Sequence, residues 1–255
     1  MTATEEFIEI EGVRLRYKSG GSGPDVLLLH GWGSSAEGMS LVFDDLAPDY
    51  RVVSVDLPGH GQSGLPPSPW GVNDYAHCVL RFLDAVRLAK PAVVAHSFGG
   101  RIAIRIASQA PHRFDRMVLV AAAGIPPRRS ARYYLRRAIG QAARLGAKYG
   151  GGLGRKLRDW VYPRISSPDY RNAGPLRETF VKVVSEDLTP LLPAIRARTL
   201  LVWGDLDMET PLASGHTMHS LIPQSEMVVL RGAGHFCYLE QFPKFRLALR
   251  KFLRS

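Results

Sequence analysis

Short apolar runs rich in β-branched residues alternate with helical patterns along the chain, and this alternation limits its fold more than any other feature. Continuous apolar runs are typical of strands buried on both faces. Apolar residues that recur every three or four positions indicate amphipathic helices. Strands that alternate with helices predict a mostly parallel sheet. The predicted strands are Phe7–Ile10, Val13–Tyr17, Val26–Leu29, Arg51–Val55, Ala92–Ala95, Met117–Ala121, Thr199–Trp203 and Met227–Leu230.

The first two runs flank Glu11-Gly12, a tight-turn signal that predicts an antiparallel hairpin at one edge of the sheet. The clearest helical patterns cover Tyr75–Leu88, Gly99–Gln109 and Lys244–Phe252. We therefore expect an α/β fold, with a mostly parallel, eight-stranded twisted sheet that is flanked by helices.

One segment interrupts this alternation. About 70 residues separate the sixth and seventh predicted strands, which is too long for a single crossover. The pattern of this segment is mostly helical. We expect residues 125–195 to form a helical cap, or lid, inserted after the sixth strand, while residues 1–124 and 196–255 form the core domain.

The charge of the chain is concentrated in the same insertion. The formal net charge is +10, and residues 125–195 hold 14 Lys and Arg against five Asp and Glu, a net of +9, which leaves +1 elsewhere. Strong basic charge can attract nucleic acid, an anionic membrane surface or acidic substrates. No recognised nucleic-acid-binding module accompanies it. We expect a small-molecule substrate and no nucleic acid.

The cysteine count bears on the compartment. Cys78 and Cys237 show neither metal-ligand spacing nor a paired framework, which favours a reduced, cytoplasmic protein. The first thirty residues hold no apolar run of signal-peptide length. No stretch approaches the roughly 20 apolar residues of a membrane span, so no transmembrane segment is expected. No metal site is expected either. The sequence does not determine the oligomeric state.

A serine stands between the fifth predicted strand and the helix that follows it. Gly99 and Gly100 supply the small residues that a tight strand-to-helix turn around Ser97 needs. The N-terminus of the helix favours negative charge that develops near this serine. The alternative is a serine that only caps the helix. The segment reads Val93-Val94-Ala95-His96-Ser97-Phe98-Gly99-Gly100.

This segment resembles the nucleophile elbow of the α/β-hydrolase family, whose usual pattern is Gly-x-Ser-x-Gly, with Ala95 here at the first position. The resemblance implies a catalytic triad in the chain order Ser, Asp, His. Ser97 would be the nucleophile. His235, in a glycine-containing loop after the last strand, would be the general base.

The resemblance also implies a triad acid three residues after Gly204, at the end of the seventh strand, which gives Asp207. Asp205 is the runner-up, and Glu209 is less favoured. Asp56 follows an earlier strand and precedes the serine in the chain, so we interpret it as structural.

A second segment, His30-Gly31-Trp32-Gly33, follows the third strand. In the family, such a segment supplies half of the oxyanion hole, which implies the backbone N–H groups of Trp32 and Phe98 as donors. His30, His96 and Phe236 are expected as pocket neighbours, with His30 holding its loop by hydrogen bonds.

These expectations predict a serine hydrolase, specifically a carboxylesterase that acts on small to medium acyl esters through an acyl-enzyme intermediate, with no cofactor. A thioesterase, a C–C bond hydrolase, an acyltransferase and a slow-turnover ligand sensor stay open. The basic cap suggests an anionic substrate, membrane docking or simply a solvated helix surface. Its candidate pocket residues are Tyr133, Tyr134, Leu135, Trp160, Tyr162 and Phe180.

Overall fold

Eight strands form one sheet in a computed structural model that describes residues 3–126, 151 and 168–255. The strand order is β1-β2-β4-β3-β5-β6-β7-β8. The pairs β1–β2 and β2–β4 are antiparallel, and all the other neighbours are parallel. The strands are β1 Thr4–Ile10, β2 Val13–Gly20, β3 Asp25–Leu29, β4 Arg51–Val55, β5 Ala92–His96, β6 Arg116–Val120, β7 Arg198–Gly204 and β8 Ser225–Leu230.

The helices of the described residues lie between these strands and after the last one. They are α1 Ser40–Leu46, α2 Val72–Ala85, α3 Phe98–Gln109, α4 Pro168–Asn172, α5 Arg177–Ser185, α6 Leu212–Leu221, α7 Cys237–Glu240 and α8 Phe242–Arg254. Short 3-10 turns cover Ala36–Met39, Gly174–Leu176 and Thr189–Ala194.

The first hairpin turns at two residues with left-handed backbone angles. Glu11 has φ 54° and Gly12 has φ 77°. Positive φ at both central residues is the geometry of a type I′ turn, whose twist matches that of paired strands. The hairpin therefore adds two antiparallel strands to one edge of the sheet, as the sequence predicts.

The core has two halves, one on each face of the sheet. Along β3, Leu27 and Leu29 belong to the half that contains α2 and α3, while Val26 and Leu28 belong to the half that contains α1 and α8. Because successive side chains of a strand point to opposite faces, an apolar strand can join both halves. The central parallel strands are thus apolar over most of their length.

The chain between β6 and β7 is described only in part. Residues 127–150 and 152–167 lie outside the described residues, and with them lie Tyr133, Tyr134, Leu135, Trp160 and Tyr162 of the predicted pocket residues. The described portion forms α4, α5 and two 3-10 turns. Leu188, Leu192 and Ile195 are fully buried in the core cluster that holds α3. The boundaries 125 and 195 of the cap stay a prediction.

The predicted fold class is confirmed, as a mostly parallel eight-stranded sheet with helices on both faces. Within the described part of the chain, no helix is both long enough and apolar enough to cross a membrane.

Candidate active site

Ser97 lies on a sharp turn between β5 and α3. Its backbone has φ 49° and ψ −107°, a sparsely populated conformation for a residue with a side chain. The turn is fixed from both sides: the N–H of Ser97 donates to the carbonyl of Val120 at 3.0 Å, and its own carbonyl accepts from Gly100 and Ala123. These bonds hold a strained backbone at the carboxyl end of the sheet.

The glycines after Ser97 are required by close packing. A Cβ atom at Gly99 would lie 2.5 Å from the carbonyl oxygen of Leu29, and one at Gly100 would lie 2.5 Å from the Cβ of Ala122. No real Cβ approaches other atoms so closely. The first helical turn of α3 therefore sits against β3 and the end of β6 only because both side chains are absent.

The histidine loop follows β8 and places His235 beside Asp207. Nδ1 of His235 lies 2.9 Å from Oδ2 of Asp207, and both side chains are buried. The carbonyl of His235 accepts a hydrogen bond from Nε2 of His96 at 3.0 Å. The loop also packs tightly against Gly204, where a Cβ would lie 2.2 Å from the carbonyl oxygen of Ala233.

Asp207 is surrounded by donors. Its Oδ1 accepts the N–H groups of Glu209 and Thr210 at 2.8 and 2.9 Å, and Oδ2 lies 2.8 Å from Oγ1 of Thr210. Burial alone would raise the pKa of Asp207, but the hydrogen bonds from His235 and Thr210 outweigh it and hold this pKa below its ordinary value. Asp207 is thus ionised at neutral pH and able to orient the imidazole.

The other candidate carboxylates have different contacts. Asp205 is exposed, and its Oδ1 accepts the N–H of Gly232 at 2.7 Å, which anchors the start of the histidine loop. Oε2 of Glu209 lies 3.4 Å from Nε2 of His235, on an exposed side chain. Asp56 accepts from the N–H groups of Ala36 and Gln62 and contacts the buried Arg16. Asp56 therefore joins its loop to the neighbouring loops, and it does not line the cavity that opens over Ser97 and His235.

Two backbone donors stand beside Ser97. Within residues 3–126 and the other described residues, the N–H groups of Trp32 and Phe98 have no hydrogen-bond acceptor. The N–H of Gly99 donates to the carbonyl of His30 at 3.1 Å and so ties the Trp32 loop to the elbow. The rings of Trp32 and Phe98 are in contact, with centroids 5.3 Å apart. The two free donors are therefore held by contacts on both the backbone and the side chains.

His30 and His96 are neutral, buried supports of this region. Nδ1 of His30 donates to the carbonyl of Gly31 at 2.7 Å, and its Nε2 accepts from the N–H of Leu57 at 3.0 Å. Burial, the largest cause in each case, lowers the pKa of His30 and of His96 to about 3. Neither histidine is among the residues that line the cavity over Ser97, and the exposed Phe236 is not among them either, although its ring contacts that of His235.

A cavity of about 800 Å³ opens over these groups, within the size range of small-molecule sites. Ser97 and His235 both line it, as do the side chains of Trp32, Phe98 and Phe180. The ring of Phe180, on α5, contacts the ring of Trp32 in a tilted arrangement, with centroids 5.1 Å apart. Of the six candidate pocket residues of the predicted cap, Phe180 is the one that the structure describes, and it forms part of the wall of this cavity.

Two lining residues were not found by sequence reasoning. Thr210 contacts both Asp207 and the carbonyl of Ala121, but its position three residues after the carboxylate is no more than a weak signal. Arg101 lies on α3, one turn after Ser97, in a pattern that otherwise predicts a buried helix face. Among the described residues, no group of three or more His, Cys, Asp or Glu side chains is arranged to hold a metal ion.

Comparisons with known proteins bear on the family and the fold of this chain. Residues 24–242 match the sequence profile of a family described as alpha/beta hydrolase fold. A pimeloyl-[acyl-carrier protein] methyl ester esterase of Nitrosomonas europaea is 28% identical, over 88% of this chain and 93% of its own. A 2-hydroxy-6-oxo-6-phenylhexa-2,4-dienoate hydrolase of Comamonas testosteroni is 26% identical, over 94% and 91%. The crystal structure of a bacterial membrane phospholipase A matches with a TM-score of 0.78 and 26% identity, over 99% and 86%.

Proposed function

Because this chain belongs to the alpha/beta hydrolase fold family, we propose that it is a serine hydrolase that cleaves carboxylic esters of small to medium acyl groups. One observation carries the proposal. His235 bonds through Nδ1 to the ionised Asp207 at 2.9 Å, while its ring and the strained Ser97 line the same cavity. A nucleophile, a base and an orienting acid are the three parts that acyl transfer requires.

The proposed mechanism depends on which nitrogen of His235 carries a proton. With Nδ1–H donated to Asp207, the neutral imidazole keeps a lone pair on Nε2. Nε2 takes the hydroxyl proton of Ser97 as its oxygen attacks the ester carbonyl, and then gives that proton to the departing alcohol. A water molecule, deprotonated by the same nitrogen, attacks the acyl-enzyme, which releases the acid and regenerates the serine.

The N–H groups of Trp32 and Phe98 are the proposed oxyanion donors. Neither donates to another described group, so both are available to the negative oxygen of the tetrahedral intermediate. Donors that are already fixed need no reorganisation when the charge develops, and removing one typically costs about 3 kcal/mol of barrier stabilisation.

A second candidate is hydrolysis of a carbon–carbon bond by the same triad. The relative from Comamonas testosteroni carries the name of such a hydrolase, and it aligns with nearly the whole chain. The described cavity residues do not separate the two reactions, because both use a serine, a histidine and an oxyanion hole.

The test is a panel of p-nitrophenyl esters, from acetate to octanoate, alongside labelling with a fluorophosphonate. We expect multiple turnovers on the shorter esters and one covalent adduct on Ser97, located by mass spectrometry of peptides. The Ser97→Ala variant should lose both the turnover and the adduct while it keeps the unfolding temperature of the parent protein within a few degrees.

Three results would contradict the proposal. The first is turnover that survives in Ser97→Ala. The second is an adduct on another serine. The third is a single burst of product with no steady state, which would indicate a slow ligand sensor. Cleavage of a vinylogous 1,5-diketone with no cleavage of any ester would favour the carbon–carbon reaction instead.

A further inference from the structure

Arg101 places a buried positive charge in the wall of the cavity that holds Ser97. The residue is 6% exposed, and its side chain lines the cavity together with Ser97 and His235. Charged side chains are almost never buried to this extent unless they are paired. An arginine in such a position therefore needs a partner of opposite charge.

The described residues do not supply that partner. Among them, the only group that accepts a hydrogen bond from Arg101 is the backbone carbonyl of Glu186, at 2.9 Å from Nη1. No carboxylate of these residues lies within ion-pair distance of it. The charge of Asp187 acts to raise the pKa of Arg101, but the Asp187 carboxylate is exposed and its Oδ1 accepts the N–H of Thr189. A guanidinium has five N–H donors, and within the described part of the chain only one hydrogen bond from Arg101 is present.

Arg105, one helical turn further along α3, has the opposite arrangement. Its guanidinium forms an ion pair with the side chain of Glu186, and it does not line the cavity. Arg105 therefore already supplies an ion pair between α3 and the segment around residue 186. Arg101 adds one more bond to that connection, but unlike Arg105 it lines the cavity.

The geometry of α3 directs Arg101 toward the nucleophile. Ser97 immediately precedes α3, and Arg101 is the fourth residue of this helix, so the two residues are separated by about one helical turn. Helical side chains lean toward the N-terminus, which here is the elbow. A group bound by Arg101 would thus be part of a substrate whose carbonyl lies at Ser97.

Two carboxylates also line the cavity, and they do not neutralise Arg101. Asp169 is exposed, and the side chain of Glu209 is 62% exposed. Solvated charges are screened by water, whereas a buried charge keeps most of its field. Burial lowers the pKa of Arg101 to about 10, which still leaves it protonated at neutral pH.

We propose that Arg101 is a specificity-determining residue that binds a carboxylate carried by the substrate, so that esters with a free carboxylate are the preferred substrate class. The inference rests on the proposed ester hydrolysis at Ser97. A guanidinium matches a carboxylate with two parallel hydrogen bonds, which a neutral group of the same shape cannot reproduce.

The test compares substrates that differ in that one group. Monomethyl adipate is paired with its primary amide, and 6-acetoxyhexanoate with its primary amide, so the carboxylate stands on the acyl side in one pair and on the alcohol side in the other. Hydrolysis is followed in a pH-stat. We expect kcat/KM of the wild-type protein to favour the carboxylate in at least one pair by about tenfold or more.

Variants then assign the preference to Arg101. Arg101→Met should lower kcat/KM for the preferred carboxylate by about 10- to 100-fold, mainly through KM, and change kcat/KM for the amide much less. Arg101→Lys should keep part of the preference. Arg105→Met is the matched control, because it also removes a bond to residue 186 but takes no charge from the cavity, so it should keep the preference in full.

The inference is overturned if the wild-type protein does not favour the carboxylate in either pair, or if Arg101→Met and Arg105→Met change the carboxylate-to-amide ratio equally. Ester turnover would stand in either case. If no ester is cleaved, the proposed function fails separately, and calorimetric binding of adipate to the Ser97→Ala protein, with and without Arg101→Met, decides the role of Arg101. If Arg101→Met does not fold, the wild-type ratios and competitive inhibition by adipate against adipamide decide it.

Discussion

At the scale of single residues, three carboxylates near the end of β7 differ in what they contact. Asp207 has four hydrogen-bond contacts, one of them to His235. Asp205 contacts the backbone of Gly232, and Glu209 stands 3.4 Å from the other nitrogen of the imidazole. Only Asp207 can fix the Nδ1–H tautomer, because it alone of the three meets Nδ1.

The variant Asp207→Asn should therefore lower kcat on a p-nitrophenyl ester by about 10⁴-fold, since an amide can stabilise the wrong tautomer. Asp205→Asn and Glu209→Gln are the matched controls and should each cost less than about tenfold. Steady-state kinetics at one pH, with the unfolding temperature as a check on folding, would measure this. A larger loss in Glu209→Gln than in Asp207→Asn would assign the acid to Glu209.

At the scale of elements, the loops after β7 and β8 meet at Gly204. A Cβ there would lie 2.2 Å from the carbonyl oxygen of Ala233 and 2.4 Å from that of Gly234, both backbone atoms that cannot turn away. Asp207 and His235 follow these two backbone segments. Their 2.9 Å contact therefore depends on an approach that only glycine permits.

Gly204→Ala should separate the two loops, lower the free energy of unfolding by about 1–3 kcal/mol and reduce ester turnover. Gly234→Ala is the control in the same loop, because its Cβ would meet nothing closer than the flexible Glu240 carboxylate at 3.4 Å. Denaturant unfolding and initial rates on both variants would check this. Equal losses in the two would show that loop flexibility, not close packing, is what the glycines provide.

Element boundaries show what a sequence can and cannot predict. Every predicted strand corresponds to an observed one, because short runs rich in β-branched residues and bounded by turn residues are typical of strands, whether central and buried or at the half-exposed edges of the sheet. The second helix, predicted as Tyr75–Leu88, instead covers Val72–Ala85. It starts early because the side chain of Asp74 accepts the N–H of Gly71 at 2.7 Å, a contact that apolar periodicity does not register.

At the scale of the whole molecule, the order of parallel strands determines which loops meet. Ser97, Asp207 and His235 follow β5, β7 and β8, and the carboxyl ends of parallel strands share one edge of the sheet. This much could be predicted from the sequence. The burial of Arg101 without a carboxylate partner among the described residues could not, because it depends on how the segment around Glu186 packs against α3. The catalytic roles stay predictions until the kinetic tests are done.

The whole fold should also lose stability in mild acid, through two buried imidazoles beside the site. The pKa values of His30 and His96 are about 3 in the folded protein, whereas an unfolded imidazole titrates near 6.5. Between these values the unfolded chain holds more protons than the folded one, so the free energy of unfolding falls as the pH falls. The stabilisation that comes from keeping these imidazoles neutral is fully present above pH 6.5. It is lost progressively as the pH falls from 6.5 toward 3.

Urea unfolding at pH 7.5, 6.5, 5.5 and 4.5 would measure this loss. Well below pH 6.5, each of the two imidazoles should contribute about 1.4 kcal/mol per pH unit. Asp207 acts in the same direction, but its pKa lies below 3.8, so its effect comes only at lower pH. His96→Gln should reduce the slope by one proton, whatever its effect on absolute stability. A free energy of unfolding that stays level from pH 6.5 to 4.5 would mean that these histidines take up protons without unfolding, through a cavity open enough to hydrate them.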